Sequence, residues 1–110
     1  MNDSETVAIQ IKAAKQMIAV GEAYVKLSTN PHFKLIIEEE YFQKEAARLV
    51  MAKSNAQLTD SEQKIIDTMI TGVGALANYF NLVVQRAGMA QSDLEALAQS
   101  EEELANEELS

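Results

Sequence analysis

The sequence predicts an all-α protein, either an antiparallel helical hairpin or a three-helix bundle, with a mobile acidic C-terminal tail. Three observations predict it. Apolar residues recur every three or four positions along three long stretches. Between the stretches stand two polar breaks that carry helix-start chemistry, Asn30 with Pro31 and Thr59 with Glu62. A single proline and four glycines in 110 residues leave little chain for loops.

The first helix is expected over about 4–26, with Ser4 in place to cap it. Val7, Ile11, Ala14, Ile18, Gly21 and Val25 form one seam, and Met17, Val20, Tyr24 and Leu27 widen it beyond the stripe of a two-stranded coil. A second helix is expected over 31–53. Asn30 can accept a bond from a free backbone N–H, and Pro31 suits the first helical position because it has no N–H to leave unpaired. At α-helical spacing Leu35, Phe42, Ala46 and Leu49 fall on one side, Phe33, Ile36, Ile37, Tyr41 and Val50 extend the apolar surface, and Glu40 precedes Lys44 by the four residues that favour an ion pair.

The third helix, expected over 60–98, opens on a capping box in which Thr59 and Glu62 satisfy each other's backbone donors. Its seam is the most regular in the chain: Ile66, Ile70, Val73, Ala77, Phe80, Val84, Ala87, Gln91, Leu94 and Ala98 alternate spacings of 4 and 3. Ile65, Met69, Leu76, Tyr79 and Val83 form a second seam beside it. Residues 1–98 therefore read as one helical domain and 99–110 as a tail.

The charge is unevenly placed. Residues 1–91 hold nine Lys and Arg against ten Asp and Glu, whereas 92–110 hold seven acidic residues and no basic one. The body is near neutral and the end acidic, with Glu101, Glu102, Glu103, Glu107 and Glu108 as the residues that would dock on a basic partner.

Several chemistries are excluded or disfavoured. With no cysteine there is no disulfide, thiolate site or cysteine nucleophile, and a reducing compartment is permitted. His32 stands alone, without the second histidine or the Glu-x-x-His pair that a helical metal site needs, so no metal or other cofactor is expected. Glu38, Glu39 and Glu40 fan out by about 100° each on a helix, so they read as a solvated face and not as a catalytic carboxylate pair. Thr71-Gly72-Val73-Gly74 lies within a helical pattern and lacks the lysine and preceding strand of a phosphate loop. Its two glycines are expected to let a neighbouring helix pack close or the helix bend.

Lys12, Lys15 and Lys26 are too sparse for a phosphate-binding patch, so direct nucleic-acid binding is not expected. The most apolar window, Val73 to Val84, contains Asn78 and Asn81 and is shorter than the roughly 20 residues of a membrane span. The polar, acidic N-terminus lacks the features of a secretory signal.

From residue 30 to about residue 100 the chain resembles small helical proteins of tailed bacteriophages. The residues that carry the resemblance are Asn30-Pro31-His32-Phe33, then Tyr41-Phe42 and Glu45-Ala46-Ala47-Arg48-Leu49-Val50, then Ala75-Leu76 with Tyr79-Phe80, and Gly88-Met89-Ala90. The stretch covers about two thirds of the chain, and the residues that carry the resemblance include no catalytic residue to carry over. The resemblance implies a structural or head-assembly protein, located in the host cytoplasm or in the virion.

The reading is thus a non-enzymatic virion or assembly component whose partners are other copies of itself or virion proteins. Its candidate packing or interface residues are Phe42, Leu49, Ile66, Ile70, Val73, Ala77, Phe80 and Val84. The alternative is a small inhibitor or adaptor that binds a host nucleic-acid or defence enzyme through the acidic end.

Overall fold

A computed structural model describes residues 2–109. The fold is all-α: α1 is Asp3–Ser28, α2 covers residues 31–53, and α3 is Asp60–Leu109, with no strand among the described residues.

Local side-chain chemistry sets the helix starts. The Asn30 carboxamide oxygen accepts from the backbone N–H of His32 at 2.8 Å and of Phe33 at 3.3 Å, with Pro31 in the first turn. The Thr59 N–H donates to Glu62 Oε1 and the Glu62 N–H to Thr59 Oγ1, both at 3.1 Å. These bonds lower the Glu62 carboxyl pKa below its ordinary value, the backbone bond from Thr59 contributing most. The start of α1 differs from expectation. Asn2 is the residue whose side chain accepts from the Glu5 N–H at 2.8 Å, while the Ser4 hydroxyl donates to Glu108 Oε1 at 3.3 Å.

α2 holds the largest departure from the expected geometry. Its first turn, Pro31–Phe33, and its last part, Ala46–Lys53, are α-helical, but Lys34–Glu45 is a π-helix. The wider turn, about 4.4 residues against 3.6, changes which side chains share a face. Phe33 and Phe42 are nine residues apart, which is two and a half α turns but about two π turns. Both rings accordingly lie edge-on to Phe80, with centroids 5.6 and 6.1 Å away. Leu35, expected beside Phe42, is turned away and left 47% exposed. Burying two phenyl rings against a third selects the π geometry over the heptad that α spacing drew through Leu35.

The packing divides the chain into two compact units, Lys26–Asn81 and Met1–Val25 with Leu82–Ser110. In the Lys26–Asn81 unit, Lys53 Nζ meets Asp67 Oδ1 at 2.6 Å at one end and Phe33 meets Phe80 at the other, so α2 and this part of α3 run in opposite directions. Leu49 and Val73 are buried between them, and Ile66, Ile70, Ala77 and Phe80 half-buried.

The other unit pairs α1 with residues 82–109 of α3. Ala14 and Gly21 of α1 and Val83 and Ala90 of α3 are its buried positions. Val7, Ile11 and Ile18 are half-buried on the α1 seam, but Tyr24 takes the place expected of Val25, which is exposed.

The expected seam of α3 also needs correction in this unit. Val84 is 51% exposed, and Gln91 and Ala98 are exposed, whereas Val83 and Ala90 are buried and Leu97 half-buried. Ala87 and Leu94 of the expected seam stay half-buried, but Val83, Ala90, Leu97 and Leu104 form a seven-residue row beside them in place of Val84, Gln91 and Ala98. Val83 belongs to the second seam, so α1 meets α3 on the side of that seam. The same row explains the C-terminal end. Residues expected to be a mobile tail are helical through Leu109, and Leu104 is half-buried near Asn2, Asp3 and Ser4.

Candidate interaction surfaces

The buried hydrophobic set is small: Ala14, Leu49, Val73, Val83 and Ala90 among the described residues. Sixteen large hydrophobic side chains stay exposed on the helices. Completing the burial of one such side chain is worth up to roughly 1.5–3 kcal/mol, so these faces are the largest unsatisfied driving force on the chain.

In the Lys26–Asn81 unit the exposed apolar residues are not scattered around α3. At about 100° per residue, Ile65, Met69, Gly72, Leu76 and Tyr79 form one strip beside the Ile66–Val73–Phe80 core row. The opposite flank carries Gln63, Asp67, Gly74, Asn78 and Asn81. Ile65, Met69, Leu76 and Tyr79 belong to the second seam expected from the sequence, whose remaining member, Val83, is buried in the other unit. The structure leaves the strip open, with Ile65 59%, Met69 52% and Tyr79 49% exposed and Leu76 half-buried. Tyr41 borders it, its hydroxyl 3.8 Å from where a Cβ on Gly72 would stand.

Five of the chain's six aromatic residues are in this unit, in a chain of ring contacts running Tyr41–Phe42–Phe80 with Phe33 and Tyr79 on either side of Phe80. Of the residues proposed for packing or interface, Leu49 and Val73 are buried, Phe42, Ile66, Ile70, Ala77 and Phe80 are half-buried, and Val84 faces solvent.

The unit built from α1 and residues 82–109 packs on small residues. A Cβ added to Gly21 would run into the Cβ of Ala87. Gly72 and Gly74, the glycines the sequence suggested for close packing, have no such neighbour within the chain. Gly21 was visible only as a seam position; its pairing with Ala87 depends on which helix α1 meets. A shallow groove of about 420 Å³ runs beside this contact, lined largely by alanines, with Gln10 and Asp93 the polar groups at its edge.

The acidic segment is a helical surface. Glu101, Glu102, Glu103, Glu107 and Glu108 are all exposed, and Glu108 accepts the bond from Ser4. His32 is exposed beside the Asn30 cap, Glu40 pairs with Lys44 at 3.0 Å, and Lys12, Lys15 and Lys26 are exposed on α1. No group of three or more His, Asp or Glu side chains is arranged to hold a metal ion among the described residues. No helix is long and apolar enough to cross a membrane.

No family model, curated protein or solved structure matches this chain.

Proposed function

We propose that this chain is a non-enzymatic structural or assembly component, of the kind found in tailed bacteriophages, that works through helix-to-helix contacts with copies of itself or with a larger structural partner. The observation that carries the reading is the imbalance, among the described residues, between five buried hydrophobic residues and sixteen large exposed ones on the helices. In such a component the Lys26–Asn81 unit acts as a helical hairpin whose open side is covered on assembly.

The test is the solution mass by light scattering across a range of concentrations, with a variant in which Glu101, Glu102, Glu103, Glu107 and Glu108 are all changed to Gln measured in parallel. The expected result is a complex larger than one chain, unchanged by the substitutions. Loss of association in the Gln variant would overturn helix-mediated assembly.

A second reading, a small inhibitor or adaptor of a host nucleic-acid or defence enzyme, draws on one observation: the five glutamates stand exposed on a helix that continues to Leu109. Glutamates held around a rigid helix can dock on a basic patch. A chain that stays monomeric at every concentration and binds a basic partner only with its glutamates intact would favour this reading.

A further inference from the structure

Resting on the assembly reading, we infer that the partner is a second copy of this chain, and that two copies pair their Lys26–Asn81 units through the strip Ile65, Met69, Gly72, Leu76 and Tyr79 into an antiparallel four-helix bundle.

The strip differs from ordinary helix surface in its charge. From Thr68 to Asn81 the chain has no charged residue, although charged residues make up 24% of the whole, a share that would place about three in such a stretch. A solvated face has no need to exclude charge. The centre of an interface does, because an unpaired charge buried there is costly. Thr68 and Thr71 border the strip on its outer side and Asn78 and Asn81 lie on the other flank, so the exposed Met69 and Tyr79 stand within the charge-free stretch and Ile65 just before it.

A second copy fits this strip because the strip is complementary to itself. A two-fold axis through Gly72 sets Ile65 opposite Tyr79 of the other copy and Met69 close to Leu76, with large side chains at the ends and glycine at the crossing. Neutral surface then meets neutral surface, and the antiparallel helix dipoles oppose favourably. The glycine also fits. A mid-helix glycine is unfavourable, yet the chain's own atoms leave ordinary van der Waals room for a methyl group at 72, the nearest being the Tyr41 hydroxyl at 3.8 Å. Gly74 on the polar flank has open space too, so the apolar strip, and not the glycine, marks the face.

The experiment is sedimentation equilibrium on the full chain and on Met69→Glu with Tyr79→Glu, with circular dichroism to verify helix content. Both positions are about half exposed, and because Tyr79 also touches Phe80 within the chain, Met69→Glu alone is measured beside the double variant. The expected result is a wild-type dimer and a variant weakened at least 100-fold with unchanged helix content. Gly72→Ala is expected to weaken the dimer about tenfold, and Gly74→Ala to leave it unchanged. Since the chain has no cysteine, a mixture of Ile65→Cys and Tyr79→Cys should cross-link as a heterodimer on mild oxidation, and Gln63→Cys with Tyr79→Cys should not. A dimer that persists in the double glutamate variant overturns this face while leaving helix-mediated assembly standing. A wild-type monomer throughout overturns the second copy as partner. Dissociation by the Glu→Gln variant of the acidic segment overturns the assembly reading itself.

Discussion

Gly21 of α1 lies against Ala87 of α3 so closely that a methyl group on Gly21 would overlap the Ala87 methyl. Gly21→Ala adds that methyl. The helix-propensity gain is about 1 kcal/mol. Overpacking two helix backbones costs about 1–3 kcal/mol, and backbone cannot move aside as a flexible side chain does. The expected outcome is a lower melting temperature. Ala87→Gly in the same chain should recover part of the loss by restoring the gap. Gly88→Ala is the control: nothing lies within 4 Å of its added carbon, so it should melt higher than wild type. A Gly21→Ala protein as stable as Gly88→Ala would remove the close contact.

The starts of α2 and α3 were legible because caps are local: Asn30-Pro31 and Thr59-x-x-Glu62 contain both partners of their bonds within four residues. The rows that face a neighbour were legible only in part. Val7, Ile11, Ala14 and Ile18 follow a heptad that any partner would use, but the choice of Val83 over Val84 depends on which side of α3 the neighbouring α1 meets. The candidate strip was visible as a second seam, since Ile65, Met69, Leu76 and Tyr79 are regularly spaced. That it remains uncovered was not, because spacing does not say which apolar row the chain itself will use. The π-helix was the least legible element, for it arises from two rings of α2 competing for one ring of α3.

The capping box predicts a specific acid sensitivity. The Glu62 carboxyl is held below its ordinary value of 4.5, chiefly by the Thr59 backbone bond. A carboxyl with a lowered folded pKa contributes stability that is fully present above its unfolded value and is lost as pH falls through the folded value. Glu62→Gln keeps an acceptor oxygen for the Thr59 N–H but does not titrate. The melting temperature of wild type relative to Glu62→Gln should therefore hold steady from neutral pH down to about 5 and fall below 4.5. A difference that stays constant to pH 2 would show that the bond does not depend on the charge. The other carboxyls titrate in both proteins and cancel in the comparison.

The C-terminal end predicts an effect on α1. Leu104 is half-buried in the seven-residue row that continues from Leu97, near Asn2, Asp3 and Ser4. Leu104→Ala should lower amide-exchange protection both over residues 99–109 and over the first two turns of α1, because the two ends support each other. Its cost should be well below the 2–5 kcal/mol of a fully buried leucine, since the side chain is partly exposed. Leu109, which is exposed, should be replaceable by alanine with no such effect. Loss of protection confined to the C-terminal turns would detach α1 from this contact.

The π-helical turn makes a prediction that an α-helix over the same residues contradicts. At α spacing Phe33 and Phe42 point to opposite sides of α2, and only one of them can meet α3. In the structure both meet Phe80, at 5.6 and 6.1 Å. Phe33→Ala and Phe42→Ala should each destabilise the chain, and each should couple to Phe80→Ala in a double-mutant cycle by about 0.5–1.5 kcal/mol, the range for edge-to-face rings. Leu35→Ala, which shares a face with Phe42 only in an α-helix, should change stability little and show no coupling to Phe80. Coupling of Leu35 in place of Phe33 would mean that α2 is α-helical in solution.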